Sequence, residues 1–94
     1  MYATVRRYEN TENIEGPIKS SSENFVPVLR SHPGFASYDM IDAGDGVLVT
    51  ISVFESQAEA IASDAEAAAS TREFTSQWVP SSPQISEGPV LLRR

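Results

Sequence analysis

Arg6, His32, Tyr38, Thr50, Ser52 and Trp78 are the side chains of this sequence best suited to handling a small molecule. Arg6 and Arg7 are adjacent in a strand-like run, so they point to opposite faces of a sheet. A buried guanidinium needs an acidic partner or a ligand carboxylate or phenolate. For either arginine, strand-edge salt bridging competes with a substrate-anchoring role. Tyr38 carries a hydroxyl on an aromatic platform, which suits a flat phenolic ligand; it also suits an amphipathic core or interface position. Thr50 and Ser52 interrupt an otherwise apolar run and share one strand face, where they form a polar notch. Tyr8 offers a further hydroxyl. Trp78 suits either a pocket mouth or a packing anchor at a helix end. His32 is the sole histidine. Imidazole is the side chain most used for acid–base work, but His32 stands at an expected helix end, where a cation complements the dipole.

Several chemistries are excluded or lack their pattern. There is no cysteine, so disulfides, thiolate metal sites and cysteine nucleophiles do not arise. One histidine cannot form a two-histidine metal site. Asp39, Asp42 and Asp45 do not follow the calcium-loop spacing, and no glutamate closes that loop. Asp42 and Asp45 read as turn residues. Gly44-x-Gly46 precedes a strand rather than a helix, so it is not a dinucleotide loop. No serine sits in a Gly-x-Ser-x-Gly elbow.

The chain has 94 residues and a formal net charge of −6. That length makes one domain with a thin core, which a partner subunit would help to close. The acids are scattered, giving a solvated acidic surface, and no concentrated basic face exists for nucleic acid. No apolar run resembles a signal peptide or reaches the ~18 residues of a membrane span. With the absence of cysteine, this fits a cytoplasmic protein.

The elements that must position these side chains follow from local patterns. Residues 2–8 read as a strand, with Tyr2, Thr4, Arg6 and Tyr8 on one face and Ala3, Val5 and Arg7 on the other. Pro17 suits a helix start, and Ile18, Phe25 and Leu29 recur at helical spacing. Pro27 predicts a kink in a helix over about 17–31. His32 before Pro33, then Gly34, end it. Residues 35–41 form a second strand, 42–46 a turn with glycines at positive φ, and 46–54 a third strand. In that third strand Val47, Val49, Ile51 and Val53 make one apolar face; Leu48, Thr50, Ser52 and Phe54 make a second face, polar in the middle. Ser56 and Glu59 spell a capping box. A helix over about 57–77 follows, with Ala58, Ile61, Ala65, Ala68 and Arg72 as its expected inner face. Pro80 lies beyond it, and 85–92 reads as a last strand that Pro89 restricts to an edge.

The order strand, helix, strand, strand, helix, strand fits one antiparallel sheet with two helices on one face, a ferredoxin-like α+β domain with strands one and three central. Both helices cover the same side. The third strand then leaves an apolar patch on the other side, which predicts a homodimer packed sheet against sheet.

The segments Phe25-Val26-Pro27-Val28-Leu29, Pro33-Gly34-Phe35-Ala36-Ser37-Tyr38, Asp42-Ala43-Gly44-Asp45-Gly46 and Ser52-Val53-Phe54-Glu55 resemble the small dimeric α+β barrel proteins, and most closely the antibiotic biosynthesis monooxygenase-like domains. The resemblance runs through nearly the whole chain as an order of elements and marks the fold more than the activity. It implies a homodimeric barrel with a pocket between sheet and helices in each subunit. It also implies a small-molecule pocket protein: a monooxygenase that oxidises an aromatic or quinol-type substrate without metal or flavin, or a non-catalytic binding or stress-related module of the same fold. Haem-degrading members use an asparagine on the first strand and a tryptophan and histidine associated with the second helix. Here the first asparagine, Asn10, falls past the strand and the second helix has no histidine, which disfavours haem degradation. Arg6, Tyr38, Thr50, Ser52 and Trp78 are the candidate substrate-binding residues.

Overall fold

The computed structural model describes residues 1–11, 15–70 and 83–92. Its elements are β1 (Tyr2–Tyr8), a helix in three parts, β2 (Phe35–Gly44), β3 (Val47–Phe54), α3 (Gln57–Ser70) and β4 (Gln84–Pro89). The three-part helix consists of α1 (Glu15–Ser20), a π-helical segment Ser21–Phe25 and α2 (Val26–Ser31). The strands form one antiparallel sheet in the order β2-β3-β1-β4. β1 and β3 are therefore central, and the architecture is the expected ferredoxin-like α+β one.

Cross-strand register sorts the side chains into two faces. Tyr38, Ser52, Thr4 and Glu87 lie side by side across β2, β3, β1 and β4, and Met40, Thr50, Arg6 and Ile85 form the next row. This is the helix-covered face. Phe25, Leu29, Phe54 and Ala60 are buried together there, with Tyr2, Phe35 and Tyr38 packed around them. Tyr8 and Leu48, with Met40, make a second cluster at the other end. Phe54 and Leu29 are fully buried, and each such side chain contributes roughly 1.5–3 kcal/mol of transfer free energy. The opposite face carries Ala3, Val5, Arg7, Val49, Ile51, Val53, Ser37, Asp39 and Ile41. Every strand residue of the two clusters lies on the helix side, and Ile41 is 42% exposed.

The β2–β3 turn is tighter than the sequence suggests. Gly44 pairs with Val47, so the loop is only Asp45-Gly46, with φ of 53° and 76°. Positive φ at both central positions is the type I′ geometry that matches strand twist. The Asp42 carboxylate accepts a hydrogen bond from the Gly44 N–H at 3.0 Å. Asp45 is a turn residue, as expected; Asp42, expected in the turn, is instead a β2 residue paired with Leu48, because the strand runs on to Gly44.

Three expectations are corrected. Ile18 does not share the buried face of Phe25 and Leu29: it is 47% exposed, and Pro17 is buried in its place. The π-helical segment between them takes one more residue per turn than an α-helix. The inner position therefore moves from seven to eight residues before Phe25. The inner face of α3 is not Ala58, Ile61 and Ala65, which are exposed; Ala60 and Ser63 are buried, with Glu59 and Asp64 half-buried. The side chain of Ala68 and the whole of Arg72 lie outside the described residues. The cap at Ser56 and contacts of Glu59 and Asp64 set the helix rotation, and alanines impose little hydrophobic preference against them. Finally, β4 stops at Pro89 and leaves Leu91 and Leu92 exposed. Proline at that edge position ends the ladder early.

Candidate functional site

Strand alternation brings four of the five candidate residues onto one surface. Arg6 lies opposite Thr50, and Tyr38 lies opposite Ser52. Thr4 sits opposite Ser52 on the other side. Thr4, Arg6, Thr50 and Ser52 are all buried. They form a polar band across the middle of the sheet, between the Phe54 cluster and the Tyr8–Leu48 cluster. Trp78 lies outside the described residues.

The band faces α3. Arg6 Nη2 donates to Asp64 Oδ1 at 2.7 Å, and this is also an ion pair. Ser63, one position earlier, turns its hydroxyl back to the Ala60 carbonyl at 2.8 Å, which satisfies it within its own helix. Arg7, on the other sheet face, pairs with Glu9. The opposite orientation of the two arginines is thus borne out, and each has an acidic partner. Tyr38 closes the band on the β2 side. Its ring meets that of Phe25 edge-on, with centroids 5.4 Å apart, which holds the phenol against the band's edge.

Thr4 and Asp64 belong to this surface and are not among the residues singled out from sequence. Thr4 was legible, because it alternates with Arg6 on β1. Asp64 was not, because the inner face of α3 is misread by apolar periodicity.

His32 stands apart from the band. It caps α2 in an extended conformation, with φ −77° and ψ 135°, as a residue before proline should be. Its ring lies edge-on to Phe54, centroids 6.5 Å apart. At the α3 cap, Ser56 Oγ accepts from the Glu59 N–H at 3.3 Å, and the second bond of the pair runs between side chains, Ser56 Oγ donating to Glu59 Oε1 at 3.1 Å. Among the described residues, no group of three or more histidines, aspartates and glutamates is placed to hold a metal ion. Among them, too, no helix is long and apolar enough to cross a membrane.

No family model matches the chain, and no curated protein matches it in sequence. Solved structures do match. A protein of unknown function from Nitrosomonas europaea superposes with a TM-score of 0.77 at 17% identity, over 99% of this chain and 91% of that one. A monooxygenase of Streptomyces coelicolor, solved with the ligand nanaomycin D, gives 0.70 at 17% identity, over 98% and 92% of the two chains. An MhuD variant with two manganese protoporphyrin IX molecules bound per active site gives 0.72 at 14% identity, over 100% and 98%. Structures of antibiotic biosynthesis monooxygenases match over nearly the whole chain as well. At these identities the likeness is one of architecture. The chain has the ferredoxin-like α+β fold of the antibiotic biosynthesis monooxygenase structures.

Proposed function

We propose that this protein binds a flat aromatic small molecule between its sheet and its helices, and that it is a monooxygenase acting on quinol-type substrates. The observation that carries the reading is the polar band. Thr4, Arg6, Thr50 and Ser52 occupy the centre of the helix-covered face, where a domain this small gains most from apolar contacts. Buried hydroxyls and a guanidinium between an aromatic-rich cluster and a second apolar one are the mixture of groups that small-molecule sites use. The nanaomycin D complex of the Streptomyces coelicolor monooxygenase supports the ligand class.

In this reading the Tyr38, Thr50 and Ser52 hydroxyls and the Arg6 guanidinium face the ligand. Trp78 is the residue that the sequence offers for the mouth of the site. The substrate is a deprotonated phenol that itself reduces oxygen. One oxygen atom enters a ring C–H bond, the other leaves as water, and the phenol becomes a quinone. The protein contributes positioning and stabilisation of the oxyanion. Haem does not fit this band by histidine ligation. The single imidazole, His32, is held at the edge of Phe54, at one end of the sheet.

The protein acts as a cytoplasmic homodimer with the open sheet faces stacked. Val5, Val49 and Ile51 are only half-buried in a single chain, and Ile41 is exposed; an apolar sheet face of this kind signals association.

The test is oxygen uptake by the purified protein with reduced naphthoquinones, with labelled oxygen traced into the product. Uptake above the spontaneous rate, with one labelled atom incorporated, is expected. Binding without accelerated uptake across the quinol series would replace the catalytic reading with a second one, a non-catalytic dimeric binding module. A specific feature favours that alternative. The ionisable side chains found within the band, Arg6 and Asp64, are paired with each other.

A further inference from the structure

The Arg6–Asp64 pair is lopsided. The Arg6 side chain is 7% exposed and that of Asp64 37%. A guanidinium this buried cannot recover its hydration and must keep an anionic partner. Asp64 is under no such constraint, because its carboxylate already reaches water from α3 and loses little by turning outward. The pair is therefore exchangeable from one side only. Any anion that enters the band can take the place of Asp64, while Arg6 stays where β1 holds it.

The surroundings of Arg6 suit such an anion. Thr50 lies directly opposite on β3, and Thr4 and Ser52 lie one row along. All three are buried, and their hydroxyls can share the oxygens of a carboxylate bound by the guanidinium fork. On the other side of Arg6 stands Ile85, which is apolar and exposed. Glu87, opposite Thr4 on β4, is exposed to solvent. The aromatic edges of Tyr38 and Phe25 lie beside the same band.

We propose that Arg6 is the recognition point for the anionic group of an aromatic acid, and that Asp64 is an internal stand-in for that group, displaced when the ligand binds. The proposal rests on the reading that the polar band holds a small aromatic molecule, and it narrows that ligand class to anions. It also makes Asp64 a competitor of the ligand, so removing its charge strengthens binding. A merely structural strut would behave in the opposite way.

The test uses 2-naphthoate and its neutral counterpart 2-naphthamide, which share a ring system and differ in charge. Binding is measured by calorimetry and by the shift in melting temperature. The wild-type protein should bind naphthoate about tenfold more tightly than the amide. Asp64→Asn should raise naphthoate affinity by about tenfold and leave the amide within about twofold. Arg6→Met, which keeps apolar volume in the band, should abolish the preference. The double variant Arg6→Met/Asp64→Leu removes both charges, so a folded reference exists even if a single variant is unstable. Equal binding of the two compounds, or weaker naphthoate binding by Asp64→Asn, would overturn the anion proposal and leave the binding-site reading intact. If no naphthalene or quinol probe binds wild type, both fall together.

Discussion

A Cβ built on Gly34 would lie 1.3 Å from Glu59 Oε2, and Gly34 itself sits at φ +79°. Two demands therefore meet at one residue. The left-handed backbone lets the chain leave α2 for β2, and the missing side chain leaves room for the α3 cap carboxylate. Glu59 Oε2 is buried there with no hydrogen-bond partner among the described residues, beside Gly34. Gly34 also accepts a hydrogen bond at its carbonyl from the Glu55 N–H at 2.8 Å. Gly34→Ala should cost more than the ~1–2 kcal/mol of left-handed backbone alone. Combined with Glu59→Ala it should cost less than the sum of the two, with a coupling of about 1 kcal/mol or more. Urea denaturation of the four proteins in the cycle measures this, and additivity within ~0.5 kcal/mol would show that the contact carries no energy. The cap itself was readable, because Ser-x-x-Glu is a local pattern. The meeting of Glu59 with Gly34 was not, because no local rule links residues so far apart in the chain.

At the level of elements, strands were more legible than helices, for a physical reason. A strand's side-chain period is two wherever no bulge interrupts it, so Arg6, Tyr38, Thr50 and Ser52 could be assigned to their faces, and the register then joined those faces into one. Phe35, before the irregularity in β2, departs from alternation and joins the helix side. A helix's buried face depends on its rotation, which packing and irregular turns decide. In the first helix the π-helical segment displaced Ile18. In α3 the alanines left the rotation to the cap and to Asp64, and Ile61 ended 51% exposed. The structure accordingly predicts that Ile18→Ala and Ile61→Ala each change the stability of the isolated subunit by no more than ~0.5 kcal/mol. Leu29→Ala, in the same first helix, should cost about 2–5 kcal/mol. A loss at Ile18 comparable to that at Leu29 would mean that the α-helical period continues through residues 21–25.

For the whole molecule, the open sheet face and the polar band make separate demands. The band concerns what lies between sheet and helices within one subunit. The open face concerns what lies against Val5, Val49 and Ile51 outside it. Ile51 pairs with Val5 on one side and Asp39 on the other, at the centre of that face. The proposed sheet-to-sheet homodimer predicts that Ile51→Asp is a monomer in light scattering at micromolar concentration where the wild-type protein is a dimer. An unchanged dimer mass would place the association surface elsewhere. The apolar third strand made this face legible from sequence. The position of Trp78 relative to the band falls outside the described residues, so its role stands on sequence alone.

The pairing of β1 with β4 has a consequence for how the molecule assembles in time. Tyr2 pairs with Pro89, and the Val90 N–H donates to the Met1 carbonyl at 2.8 Å. The β2–β3 hairpin, by contrast, closes through two residues, and such hairpins form in about 1–10 μs. β4 must find β1 across nearly the full chain, so its closure carries the larger entropic cost. Thr4 and Arg6 are aligned with Ser52 and Thr50 by the β1–β3 pairing, so β4 adds the sheet edge beside a band that β1 and β3 already define. A circular permutant that joins the ends through a short linker and opens the chain at the exposed Pro33 turns this pairing into a local one. It should fold faster than the natural order in stopped-flow refolding, and an equal or lower rate would show that another step limits assembly.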